Sequence, residues 1–102
     1  MQRPDECNSM TELRQLIDQI DADLVAGLAR RQACIDRAIQ LKPAEALPAR
    51  IPNRVEEVVA KVRANADRSG LDADLAEQIW RDLIEWSITR EDQVLGDTTN
   101  TE

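Results

Sequence analysis

The sequence predicts an all-α fold of three helices, one very long and two shorter. Three observations predict it. Apolar residues recur at spacings of three and four through three stretches of the 102-residue chain, those stretches are parted by prolines and by Ser-Gly, and no run alternates like a strand. The first helix runs from Met10 to Lys42, capped by Asn8 or Ser9, with Leu13, Ile17, Ile20, Leu24, Leu28, Ile35 and Ala38 as its apolar positions. Such a length is well beyond that of an ordinary globular helix and points to a partner lying alongside. Pro43, Pro48 and Pro52 punctuate KPAEALPARIPN, so 43–51 is a loop, and Pro52 suits the first turn of a helix, where its missing N–H is no loss. The second helix, Pro52 to Arg68, turns Val55, Val58, Val59, Val62 and Ala66 inward, and Ser69 and Gly70 end it. Asp72 caps the third, which reaches Leu95 with a stripe of Leu75, Ile79, Trp80, Leu83, Ile84 and Leu95. The chain thus divides into an N-terminal arm (1–9), one helical domain (10–96) and a disordered polar tail (97–102).

Composition narrows the function. Hydrophobic residues make up 42%, yet there is no Phe or Tyr and only two Trp, so core material is scarce and a homodimer is expected. Thirteen Lys and Arg against 20 Asp and Glu argue against nucleic acid or an anionic membrane as partner, and any anion site must be a local concentration of cations. No apolar run approaches a membrane span, and MQRPDECNSM lacks the apolar core of a signal peptide, so a cytoplasmic location is expected. Cys7 and Cys34 are far apart with no CxxC spacing, and Cys34 reads as a free, partly buried thiol. With no His and no clustered Cys, a transition-metal site is not expected, and nucleophilic catalysis lacks its usual base. An enzyme of this composition must run chemistry that needs none of them.

Several polar residues stand where apolar ones belong. Arg31 and Lys42 lie within about 40° of one line along the first helix, together with Leu24 and Ala38. Arg14 is roughly 80–100° from that line, better placed to reach across a dimer seam. Arg54, in the first turn of the second helix, opposes the helix dipole unless an anion sits there, when guanidinium and free N–H groups act together. Ser87 and Glu91 continue the line of Trp80 and Ile84. Singly, each has a plain explanation: long cationic side chains lay their stems on apolar surface, Ser87 is a tolerated small residue, and Glu91 pairs with Lys42. Jointly, one carboxylate cannot offset three cations, and leaving a charge buried and unpaired costs several kcal/mol. A cavity for a doubly anionic ligand would resolve the imbalance. Taken from the residues alone, both explanations stand.

The stretch LRQLIDQIDADLVAGLARRQACIDRAIQLK resembles the first helix of the all-helical chorismate mutases, with Arg14, Arg31 and Lys42 at the spacing of that family's arginine, arginine and lysine. RVEEVV resembles its second helix and GLDADLAEQIWRDLIEWSITRE its third, so the likeness covers Pro4 to Leu95. The resemblance implies an intertwined homodimer with two active sites, each completed by an arginine from the other subunit. It implies a dicarboxylate substrate, chorismate, rearranged to prephenate in a pericyclic step that needs no nucleophile, metal or cofactor. Such a step is helped by holding the compact conformer and by placing positive charge where the ether oxygen becomes negative. On this resemblance Arg14 is the donated arginine, Arg31 holds a carboxylate, and Lys42 hydrogen-bonds the ether oxygen, with Arg54 and Ser87 assisting at the carboxylate. Glu91 stands where many members have Gln, as second donor to the ether oxygen, a role a carboxyl fills only with its proton on.

Two features depart from the mutase pattern. Val55 replaces a Glu that many members carry just after the arginine of the second helix, and the acidic loop residue expected near Ile51 is absent; both normally touch the substrate hydroxyl. RPDECNSMTELR and Val55 are similar instead to the isochorismate pyruvate lyases, which share the fold and eliminate pyruvate from isochorismate to leave salicylate. WSITRE, and Glu91 where the lyases would carry Gln, favour the mutase. Chorismate mutase is therefore the expected activity and the lyase its alternative; a non-catalytic helical dimer docking on a partner enzyme is the alternative from another class.

Overall fold

The computed structural model describes residues 2–96, and among them three α-helices: α1 Met10–Leu41, α2 Pro52–Ser69 and α3 Ala73–Leu95. The disordered tail expected at 97–102 lies outside the described residues. Short 3-10 turns occupy Pro4–Glu6 and Pro43–Glu45, and no described residue is in a strand.

Each helix begins and ends for a local reason. Ser9 Oγ accepts from the backbone N–H of Glu12 at 3.2 Å, which makes Ser9 the cap of α1, while Glu12 reaches back to the N–H of Asn8 at 2.9 Å. Helix α1 stops at Leu41, one residue short of the expectation, because Pro43 cannot supply an N–H to the next turn. The chain then tightens into the Pro43–Glu45 turn and leaves it through Ala46, whose backbone is left-handed (φ 56, ψ 38). Pro52 opens α2, and Ile51 O accepts from Arg54 N at 2.9 Å and Val55 N at 3.1 Å. Gly70, at φ 76, ends α2 in the left-handed conformation that only glycine takes freely, and Leu71 N closes back on Ala66 O at 2.9 Å. Asp72 Oδ1 caps α3 by accepting from the N–H groups of Asp74 (2.9 Å) and Leu75 (3.2 Å).

The chain divides between Cys34 and Ile35 into two units. In the first, the N-terminal arm and α1 to Cys34, most of the expected stripe is uncovered: Ile17, Ile20 and Leu28 are exposed and Leu24 is 59% exposed. The one buried residue of α1 is Leu16, which the expected stripe omitted. Cys34, expected to be partly buried, is a free thiol but exposed. A single helix has no second helix within its own unit to cover a full apolar face.

The second unit is built on the hairpin of α2 and α3. Its core joins Val59 of α2, Ile84 and Ile88 of α3 and Ala49 of the loop, with Val55, Val58 and Leu95 packed against them. Near the hairpin turn the buried residues are small, Ala66 and Ala76. Leu75 and Ile79, expected on the buried stripe of α3, are exposed instead, and the face turned inward runs through Ala76, Ile84, Ser87, Ile88 and Glu91. Where α3 leaves the turn, the alanine at 76 faces inward, and its larger neighbour at 75 is carried about 100° around the helix.

A chain of ion pairs ties the outer surface of the hairpin. Arg63 meets Asp74 at 3.0 Å and Glu77 at 2.9 Å, and Arg81 meets Glu77 at 2.7 Å and Glu56 at 3.1 Å. Hydrogen bonds from Arg81 and then Arg63 hold the Glu77 carboxyl below its ordinary range; Arg54 does the same to Glu57, Arg50 to Glu85 and Arg90 to Asp36. A carboxyl depressed in the folded state stabilises the fold above its unfolded value and loses that contribution as pH falls through the folded one. The thermal midpoint is accordingly expected to hold near neutrality and to drop on acidification below about pH 4. Melting curves of Glu77→Gln followed by circular dichroism should show a shallower acid decline than the parent.

Candidate active site

Helical spacing puts a carboxyl into the core of the second unit. Ser87, Ile88 and Glu91 share the inward face of α3, and Ser87 and Glu91 are only 3% and 4% exposed. Lys42, just beyond the end of α1, brings its Nζ to 2.7 Å from Glu91 Oε1, with side chains 16% and 5% exposed. The ammonium also donates to the carbonyl oxygen of Ala49 at 2.9 Å. Glu91 Oε1 is held by charge alone, for it receives no aligned hydrogen bond from the described residues. Away from water, an opposite charge at this distance is worth much more than on the surface, and the pair must offset the desolvation of both ions. The result is a rigidly placed ammonium beside a buried carboxyl oxygen with room in its hydrogen bonding for another donor.

The remaining site residues fall in different places. Ser87 Oγ donates to Leu83 O at 2.8 Å, the back-bond that serines make inside helices, one turn before Glu91. Arg54, expected to face inward, has a side chain 58% exposed and pairs with Glu57 three residues along α2, the nearest carboxylate on its own face. Arg14 is exposed and Arg31 half-buried, both on α1 in the first unit. Val55 is half-buried and packs on the core cluster, an environment that suits valine. The structure therefore brings together Lys42 and Glu91, with Ser87 on the same face, and leaves Arg54 outside that pair. Among the described residues no group of three or more Cys, Asp or Glu is arranged to hold a metal ion.

Sequence reasoning missed the loop's part in this site. The acceptor for Lys42 is a backbone carbonyl, which no residue type announces. Arg50, next in the chain, binds Glu85 of α3 through two guanidinium nitrogens, Nη1 to Oε1 at 3.0 Å and Nη2 to Oε2. Only the opposite charges of Arg50 and Glu85 hinted at it, and the sequence holds many such pairs. Arg90 is likewise fixed, donating to Asp36 at 2.6 Å while its guanidinium lies 5.4 Å from the centre of the Trp86 ring.

The profile of the chorismate mutase type II family matches residues 13–92, a span that includes every site residue from Arg14 to Glu91. The chain belongs to that family. An isochorismate pyruvate lyase of Pseudomonas aeruginosa is 34% identical over 92 residues, 89% of each chain. T-proteins are similar too: 28% identical over 94 residues in Haemophilus influenzae and 32% over 82 in Enterobacter agglomerans, covering 92% and 80% of this chain. The chain spans only 25% and 22% of the length of those T-proteins, against 89% of the lyase. This chain thus resembles proteins of different names, and its all-helical structure accords with the chorismate mutase type II family.

Proposed function

We propose that this chain is a cytoplasmic, homodimeric chorismate mutase that rearranges chorismate to prephenate. The observation that carries the enzymatic reading is the buried Lys42–Glu91 pair, a fixed ammonium beside a carboxyl in a protein that offers no histidine; WSITRE and Glu91 favour the mutase. In the rearrangement one C–O bond breaks as a C–C bond forms, and the ether oxygen gains negative charge on the way. An ammonium aimed at that oxygen stabilises the transition state more than the ground state, which is what speeds a reaction. Lys42 is the donor to the ether oxygen; Glu91, which holds that ammonium as its ion-pair partner, is the second residue at that oxygen and could donate to it only by taking up a proton. Arg31 and the partner subunit's Arg14 hold the substrate carboxylates, with Arg54 and Ser87 assisting; closing on the substrate would have to draw Arg54 away from Glu57. The exposed stripe of α1 supports the homodimer, since Leu24 and its neighbours need a cover.

A second reading, isochorismate pyruvate lyase, is favoured by the 34% identity to the Pseudomonas aeruginosa enzyme of that name and by Val55. Both reactions break a C–O bond to the same kind of ether oxygen, so the Lys42–Glu91 pair serves either. A non-catalytic dimer is disfavoured by that same pair, because a docking surface gains nothing from an ion pair placed in its core. Assaying the purified protein on each substrate separates the three. Turnover of chorismate to prephenate is expected to exceed turnover of isochorismate to salicylate and pyruvate by about tenfold or more in kcat/KM. The reverse ratio makes it a lyase, and a folded dimer that turns over neither substrate removes the enzymatic reading.

A further inference from the structure

Besides Glu91, Lys42 is held by a carbonyl in an irregular loop, and that loop is fastened to α3 at two consecutive residues. Ala49, 7% exposed, sets its methyl among Val59, Ile84 and Ile88. Arg50 grips Glu85 with both arms of its guanidinium, a geometry that fixes direction as well as distance. The Ala49 oxygen belongs to the rigid peptide plane that joins these two residues, so anchoring the side chain on each side sets where that oxygen points. Between Ala46 and Ile51 the chain is outside any helix.

We infer that Arg50 and Glu85 are a positioning pair: by clamping the peptide between Ala49 and Arg50 they aim the Ala49 carbonyl, and through it the Lys42 ammonium, at the reacting atoms. Neither residue touches the substrate. The pair is half-exposed, with side chains 49% and 57% accessible, and a surface pair of this kind adds little to stability, so its value lies in direction. The kinetic consequence rests on the chorismate mutase reading; the structural one does not.

The test uses the fact that the chain holds only two lysines, Lys42 and Lys61. Labelled with 15N-lysine, the protein gives one side-chain ammonium signal from each, and Lys61, exposed on α2, is the internal reference. In Glu85→Gln and Arg50→Gln the Lys42 signal is expected to shift while Lys61 stays, and kcat to fall about fivefold with KM changed less than twofold. Arg50→Glu combined with Glu85→Arg restores both, because the clamp is remade with its charges exchanged. A Lys42 signal unmoved by either single substitution overturns the inference, as does an unchanged kcat in an active parent. A parent that turns over neither substrate but whose Lys42 signal still moves removes the mutase reading and leaves the clamp standing.

Discussion

Lys42→Met is expected to lower kcat/KM for chorismate by about a thousandfold, measured by loss of chorismate under steady-state conditions. Methionine keeps the apolar stem and most of the length, and removes the ammonium with its charge and its hydrogen bond to Ala49 O. The loss is large because the ammonium sits in a nearly dry site, 16% exposed, where nothing needs to reorganise before it meets developing charge. Stability confuses the result unless it is separated, since removing one partner of a buried pair costs about 3–5 kcal/mol by stranding the other. The double variant Lys42→Met with Glu91→Gln strands no charge. It should recover most of the thermal stability and none of the activity. If Lys42→Met keeps turnover within tenfold of the parent, the ammonium is not the group that answers the ether oxygen.

The second large effect is a recovery. If the chain is the homodimer proposed, Arg14→Ala and Lys42→Met are each expected to be nearly inactive when purified separately. Mixed in equal amounts, unfolded and refolded together, they should regain about a quarter of parental activity, because half of the dimers pair unlike chains and each of those has one intact site of two. On the proposed reading the intact site combines Lys42 of one chain with the partner subunit's Arg14. Regain requires that the two residues serve one site from different chains. A mixture as inactive as its components assigns both to the same chain, and the donated arginine is lost.

The helices were legible because their punctuation is chemical. Proline at 43 and 52, Gly70 and Asp72 act through backbone geometry and hydrogen bonding, which need no tertiary information, and the observed ends lie within a residue of the expected ones. Burial was less legible where two residues of similar hydropathy compete. Ala76 rather than Leu75 or Ile79 faces inward at the hairpin turn, a choice made by the closeness of two helices and invisible to periodicity. The pairing of Lys42 with Glu91 was weighed from the sequence because each stood on an apolar line. Arg54 was expected on the inside and lies outside, since a carboxylate three residues away competes for it. Ala49 and the Arg50–Glu85 clamp left no readable trace, for a backbone oxygen has no letter and a long-range ion pair has no spacing.

The left-handed backbone of Ala46 limits variation in an unusual place. Solvent-facing positions are ordinarily the freest to drift, since no neighbour objects to a new side chain. Ala46 is exposed, yet its φ of 56 and ψ of 38 crowd any β-carbon against the following carbonyl, and a branched residue there more than an alanine. Glycine and asparagine are the natural replacements. Valine or isoleucine at this site would push the chain out of the conformation that sends it from the end of α1 toward Ala49, so a library randomised over the loop should return a narrow choice at this one position and a broad one at its exposed neighbours.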